Sequence, residues 1–119
     1  PVTASSAFTR GVQVHFRDTY GQLATMPVDS AADRNELVLQ IIEQNRFFER
    51  AAEQNDAQDL ARVLRAFEPV LVRLAAEDLP PEDAEALRAQ LAFELNVMLT
   101  KLSRDTSNET DTVNTGIQT

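Results

Sequence analysis

Cysteine is missing from the 119 residues, so neither a disulfide nor thiol chemistry is open to the chain. That absence leaves the compartment open, because cysteine-free domains occur on both sides of a membrane. Histidine occurs once, at His15. A transition-metal site draws on several His or Cys ligands, so none is expected. Glycine is scarce, with three residues, and β-branched runs are few. No apolar run is long enough to span a bilayer, and no signal peptide is visible. Positive charge is in the minority: 11 basic residues against 19 acidic ones leave a net charge of −8. Such a surface repels phosphate, which argues against nucleic acid and anionic membranes as partners.

What remains is rich in Ala, Leu, Glu, Gln and Arg, all good helix formers. The length suits one domain that buries a core without staples. The first residue is Pro1 rather than Met, which leads us to expect a fragment or processed product.

Four helical stretches are legible. From about Ser6 to Met26, the residues Phe8, Val12, His15, Phe16, Thr19, Tyr20 and Leu23 recur at three- and four-residue steps, and Pro27 ends the pattern. Asp29 or Ser30 can cap the second stretch, with Asp33 in its first turn. Its stripe is Leu37, Val38, Ile41, Ile42, Asn45, Phe48 and Ala52, and it stops near Asn55. The third begins at Asp56, another plausible cap, and carries the cleanest stripe: Leu60, Val63, Leu64, Phe67, Val70, Leu71 and Leu74. Pro69 lies within it and predicts a kink rather than a break, because the stripe stays in phase on both sides. Leu79-Pro80-Pro81-Glu82-Asp83 announces the fourth, whose stripe is Leu87, Leu91, Leu95, Met98 and Leu102.

Short connections favour antiparallel neighbours. The expected fold is all-α: an antiparallel bundle of about four helices over residues 1–103, with a kinked third helix. Thr, Ser, Asn and Asp dominate residues 104–119, which read as a disordered polar tail.

No set of residues presents itself for catalysis. His15 has no nucleophile and orienting group in a recognisable arrangement. The acidic group Glu77, Asp78, Glu82, Asp83 and Glu85 lacks the alternating ligands and turn glycine of a calcium loop, and reads as a solvated corner. Glu36, Glu43, Glu49 and Glu53 mix with Arg46 and Arg50 on a wet helix face. The expectation is therefore no catalytic site, no metal, no cofactor and no small-molecule ligand.

Two apolar features exceed the core pattern. Phe93 and Val97 sit one turn apart, nearly opposite Leu91, Leu95 and Leu102, and Phe47 falls off the stripe that holds Phe48. A helix apolar on two sides is either central in its fold or offers one side to a partner. We expect Phe93 and Val97 to be covered in one of those ways, and a two-fold dimer is the simplest version of the second. Phe93, Val97 and Phe47 are thus the candidate interaction surface.

Three segments also carry a resemblance. They are His15-Phe16-Arg17-Asp18-Thr19, Glu43-Gln44-Asn45-Arg46-Phe47-Phe48-Glu49-Arg50-Ala51-Ala52, and Asp59 through Ala75 with its Phe67-Glu68-Pro69-Val70-Leu71 centre. An acidic, proline-containing turn and a helix ending Val97-Met98-Leu99-Thr100-Lys101-Leu102 follow. Together, over roughly Val14 to Leu102, these resemble the C-terminal region of bacterial membrane-anchored anti-sigma factors. Members of that group join a cytoplasmic zinc-binding module, one membrane helix and a helical extracytoplasmic region. The resemblance implies a periplasmic sensing or assembly domain, with a membrane helix upstream. Sigma binding would belong to the module that these residues do not include. The alternative is a cytosolic helical adaptor or oligomerisation module with no membrane link.

Overall fold

The computed structural model describes the backbone of residues 2–118 and the side chains of residues 7–104. Four helices follow one another: α1 (Val2–Ala24), α2 (Ala31–Gln54), α3 (Gln58–Ala75) and α4 (Pro81–Gln118). No strand occurs among the described residues. The all-α antiparallel bundle is the observed fold. Beyond Arg104, the side chains of the expected polar tail lie outside the described residues.

Local chemistry accounts for most of the helix ends. Ser30 is the N-cap of α2, and its Oγ accepts a hydrogen bond from the Asp33 amide at 3.3 Å. Pro80 and Pro81 start α4: the Ala84 amide donates to the Pro80 carbonyl at 2.9 Å, and Pro81 takes the first helical position, where its missing N–H is not needed. Pro69 lies inside α3 without ending it. The Arg65 carbonyl thereby loses its usual amide donor.

The start of α3 departs from expectation. Asp56 is not its cap. The N-cap is Ala57, which makes no side-chain hydrogen bond. Asp56 instead closes α2, with a φ of 58° in the left-handed region. Its amide donates to the Glu53 carbonyl at 3.3 Å, and the Ala57 amide donates to Ala52 at 2.8 Å. This pair of bonds is the Schellman arrangement, which needs a left-handed residue at this position. Asp tolerates that conformation better than most residues, though less well than glycine.

The helices form two tight pairs, α2 with α3 and α1 with α4. The pairs meet more loosely through α1–α2 and α3–α4, and the backbones of α2 and α4 do not touch. Each helix turns its predicted stripe inward except at Tyr20 of α1, which lies at the edge of the stripe and is 39% exposed. Val12, Phe16 and Leu23 meet Val38, Ile41 and Ile42, together with Leu64, Phe67, Leu71, Leu74, Leu91, Leu95 and Leu102. Across the centre, the rings of Phe16 and Phe67 pack edge to face at 5.7 Å.

One end of the bundle is closed by arginines. Arg34 is 1% exposed, and its guanidinium donates to the carbonyls of Leu74 (2.9 Å), Val28 (3.1 Å) and Ala76 (2.7 Å). Asn35 Nδ2 donates to Ala75 at 2.8 Å. The last carbonyls of α3, which have no intrahelical donor, are satisfied from α2, and a cation meets the negative end of the helix. Arg88 of α4 reaches the Leu23 carbonyl of α1 at 3.4 Å and pairs with Glu85.

Candidate interaction surface

The first place to look for chemistry is the centre of the bundle, where three polar side chains of the sequence stripes are buried. His15, Thr19 and Asn45 project inward from α1 and α2. Asn45 Nδ2 donates to the Leu64 carbonyl at 2.6 Å, which turns Oδ1 toward His15 Nε2 at 3.3 Å. This orientation calls for the tautomer with the proton on Nε2. The Thr19 hydroxyl donates to the His15 carbonyl at 2.8 Å. The His15 ring stacks on Phe48, with centroids 4.5 Å apart. Burial holds the His15 pKa below its ordinary value, with the Asn45 bond and the nearby Asp18 carboxylate pulling weakly the other way.

Beside this cluster lies a cavity of about 10 Å³, lined by His15, Phe16, Thr19, Asn45, Phe67, Leu71, Leu91 and Leu95. It has room for about one water and none for a substrate. His15 touches no nucleophile here; its polar neighbours hold it in place. Among the described residues, no three His, Cys, Asp or Glu side chains gather as metal ligands. None of the helices is long and apolar enough to cross a membrane, among those residues.

The outer surface differs from helix to helix. Between α2 and α3 it is laced with ion pairs. Arg46 grips Glu68 with two bonds of 2.8 and 3.0 Å, and Arg65 reaches Glu49 at 3.0 Å and Glu53 at 3.2 Å. The Arg46 guanidinium holds the Glu68 carboxyl below its ordinary pKa, and Arg88 does the same for Glu85. Phe47 stands among these charges. It is 59% exposed, and its ring meets Phe48 edge-on at 5.3 Å.

Phe93 and Val97 occupy the outer face of α4. Phe93 is 68% exposed and Val97 47%. Of the two ways of covering them, the intramolecular one is excluded. α4 is not central: it touches α1 and α3 on its inner side, and at 100° per residue Phe93 points directly away from Leu91, Leu95 and Leu102. Phe47 does not join them, because α2 and α4 sit on a diagonal of the bundle. The candidate residues therefore form two separate sites rather than one. Val14, Leu39 and Val72 are further exposed apolar side chains, and Tyr20, expected on the inward stripe of α1, is exposed as well.

The face around Phe93 has a second property. Ala86, Ala89, Gln90, Phe93, Asn96, Val97 and Thr100 lie along it, all exposed and all uncharged. Charge returns at its two ends, with Glu82, Asp83 and the Arg88-paired Glu85 at one and Lys101 and Arg104 at the other. In an acidic chain, four turns of uncharged outer helix make an unusual surface. The pattern is visible in the sequence once α4 is known to be peripheral. Without that knowledge, the same residues read equally well as a second core face.

Comparison with known proteins identifies nothing further: the chain matches no family model, no curated protein and no solved structure.

Proposed function

We propose that this chain is a non-enzymatic protein-interaction or sensor domain, and that it forms the periplasmic part of a single-pass membrane regulator linked to sigma-factor control. The observation that carries the interaction reading is the exposed, charge-free face of α4 centred on Phe93. Among the described residues, the most exposed aromatic lies on a surface without charge, where a protein partner gains most from apolar contact. The centre of the bundle supports the same reading, since His15 and Asn45 are held by one another and by the Leu64 carbonyl, and the cavity beside them has room for about one water. The compartment and the link to sigma factors rest on the resemblance of Val14 to Leu102 to anti-sigma-factor C-terminal regions.

Two experiments on the full-length gene product test this in its own cells. A photo-crosslinking side chain placed at position 93, 97 or 47 should yield an adduct with a protein from position 93 or 97. Silence at all three positions refutes the interaction reading. The 119 residues hold no cysteine, so Phe47→Cys adds one at a known place in this domain, and its labelling is read against the unsubstituted full-length protein. Labelling of intact cells by a membrane-impermeant maleimide supports the periplasmic assignment. Labelling only after lysis replaces it with the cytosolic adaptor.

A further inference from the structure

The residues flanking Phe93 are arranged so that the face complements itself. A two-fold axis through Phe93, perpendicular to α4, lays a second α4 antiparallel on the first. Phe93 then meets Phe93 of the copy. Ala86 lies opposite Thr100, Ala89 opposite Asn96, and Gln90 opposite Val97. At the ends, Glu82 comes opposite Arg104 and Asp83 opposite Lys101. Every one of these side chains is exposed in the single chain. Ala89 lies beside the aromatic and Ala86 and Thr100 two turns from it, flanking the larger Gln90, Asn96 and Val97. The Thr100 hydroxyl already donates to the Asn96 carbonyl at 2.9 Å, so its burial leaves no unpaired donor.

We infer that the partner of this face is a second copy of the chain, docked through α4 in this antiparallel register. The inference rests on the reading of the chain as an interaction domain and names the occupant of its surface. Charge decides the orientation. A parallel pairing sets Glu82 against Glu82 and Arg104 against Arg104, whereas the antiparallel one places opposite charges together at both ends. Phe93 points straight out from the bundle, so the two bundles fall on opposite sides of the α4–α4 contact. The strip from Glu82 to Arg104 is about 33 Å long at 1.5 Å per residue. A strip of that length and one helix width buries on the order of 700 Å² in total, which belongs with weak and reversible associations. The dimer is therefore expected to populate at high protein concentration and to dissociate on dilution.

Engineered cysteines in this cysteine-free chain give a direct test. Under mild oxidation of the concentrated, purified protein, Phe93→Cys should form a disulfide-linked dimer, because the axis brings the two positions together. Thr100→Cys alone should not, since its copies lie roughly 20 Å apart along the helices. Mixing Ala86→Cys with Thr100→Cys should produce a mixed cross-link. Charge reversal supplies the second arm, read by sedimentation. Glu82→Arg and Arg104→Glu should each abolish association, and mixing the two variants should restore it. A chain that stays monomeric with no cross-link at Phe93→Cys overturns the inference, as does self-linking of Thr100→Cys in preference to Phe93→Cys. Such a failure is separable from failure of the interaction reading: an in-cell adduct at position 93 with a different protein leaves that reading intact while removing the dimer.

Discussion

Replacing Arg34 by methionine should destabilise this protein more than removal of any other single charge. Methionine keeps most of the apolar stem and removes the guanidinium. Three hydrogen bonds go: Leu74 at the end of α3 and Val28 in the connection before α2 lose the guanidinium as donor, and Ala76 keeps only the Leu79 amide at 3.3 Å. A hydrogen bond to a charged group contributes about 1.5–3 kcal/mol net, so the three together set an upper range near 4.5–9 kcal/mol. Part of this is recovered, because the variant no longer desolvates a cation and the α3 end can open to water. A net loss of about 3–5 kcal/mol is expected, in line with breaking other buried charged contacts. Domains of this size are stable by about 5–15 kcal/mol, so the variant should be marginal. Its Tm should fall by roughly 12 °C or more. Urea melts followed by circular dichroism measure the effect, and Arg34→Lys separates charge from geometry. A single ammonium on a flexible stem cannot serve three carbonyls at fixed positions, so lysine should recover only a minor part of the loss. Full recovery by lysine would mean that charge at the α3 end is enough. A methionine variant within about 1 kcal/mol of wild type would mean that water satisfies these carbonyls equally well.

Acidification should destabilise the fold before its carboxylates titrate. Burial holds folded His15 below its ordinary pKa of 6.5, so the unfolded chain takes up the proton first. The stability is complete above about pH 6.5 and falls as the pH drops through the interval below it. His15→Gln should flatten this limb of a pH series of urea melts, and an unchanged slope would clear His15 of the effect. Glu68 and Glu85 are shifted in the same direction, downward, and their contributions are lost only as the pH falls below about 4.5. Asp56→Gly should stabilise by about 0.5–1 kcal/mol by removing the left-handed strain at φ 58°, and a loss in the same melt would show that the Asp side chain has a role of its own. Pro69→Ala should stabilise by about 1 kcal/mol, because it returns an amide to the Arg65 carbonyl on an exposed turn of α3; a loss would show that the ring shapes the packing. Phe93→Asp combined with Val97→Ser should leave the helical circular dichroism and the melting midpoint of dilute protein nearly unchanged, and unfolding of this variant would place the two residues in the core after all.

Much of the fold was legible because a helix writes its buried face into the sequence at a period of 3.6 residues. All four stripes point inward apart from Tyr20 at the edge of the first, and Ser30, Asn55 and Pro81 mark helix ends where the sequence suggested them. The misreading at Asp56 has a simple cause. Asp is favoured both as an N-cap and in left-handed turns, and only the spacing of the two helices decides between them. Arg34 was illegible for a related reason. In a one-dimensional pattern, an arginine near the start of α2 looks like solvated surface, and its burial depends on the α3 carbonyls, some 40 residues away in sequence. The candidate surface was half legible. Off-stripe Phe93, Val97 and Phe47 stood out, but a second apolar face reads identically whether the helix is central or peripheral. The pairing of helices, a long-range property, removed that ambiguity.

The same structure explains why the α4 face is free to act. A four-helix bundle must satisfy the groups at its helix ends and specify which faces meet. Here Arg34, Asn35 and Arg88 join neighbouring helices at one end. The His15–Asn45–Leu64 chain ties α1, α2 and α3 together at the centre, and the Arg46 and Arg65 ion pairs line the α2–α3 seam. None of these devices uses the outer side of α4 between Ala86 and Thr100. That side contributes nothing to choosing the fold, so its composition is unconstrained by folding. On a chain that is a quarter charged, an unconstrained exposed helix face of this length would ordinarily carry several charges, because they favour solubility and discourage association. Their absence from seven consecutive outward positions, with opposite charges at the two ends, is what a surface kept for contact requires. Function and stability are thereby separable in this molecule: substitutions on that face should change association at constant stability, while substitutions at Arg34 or Asn45 should do the reverse.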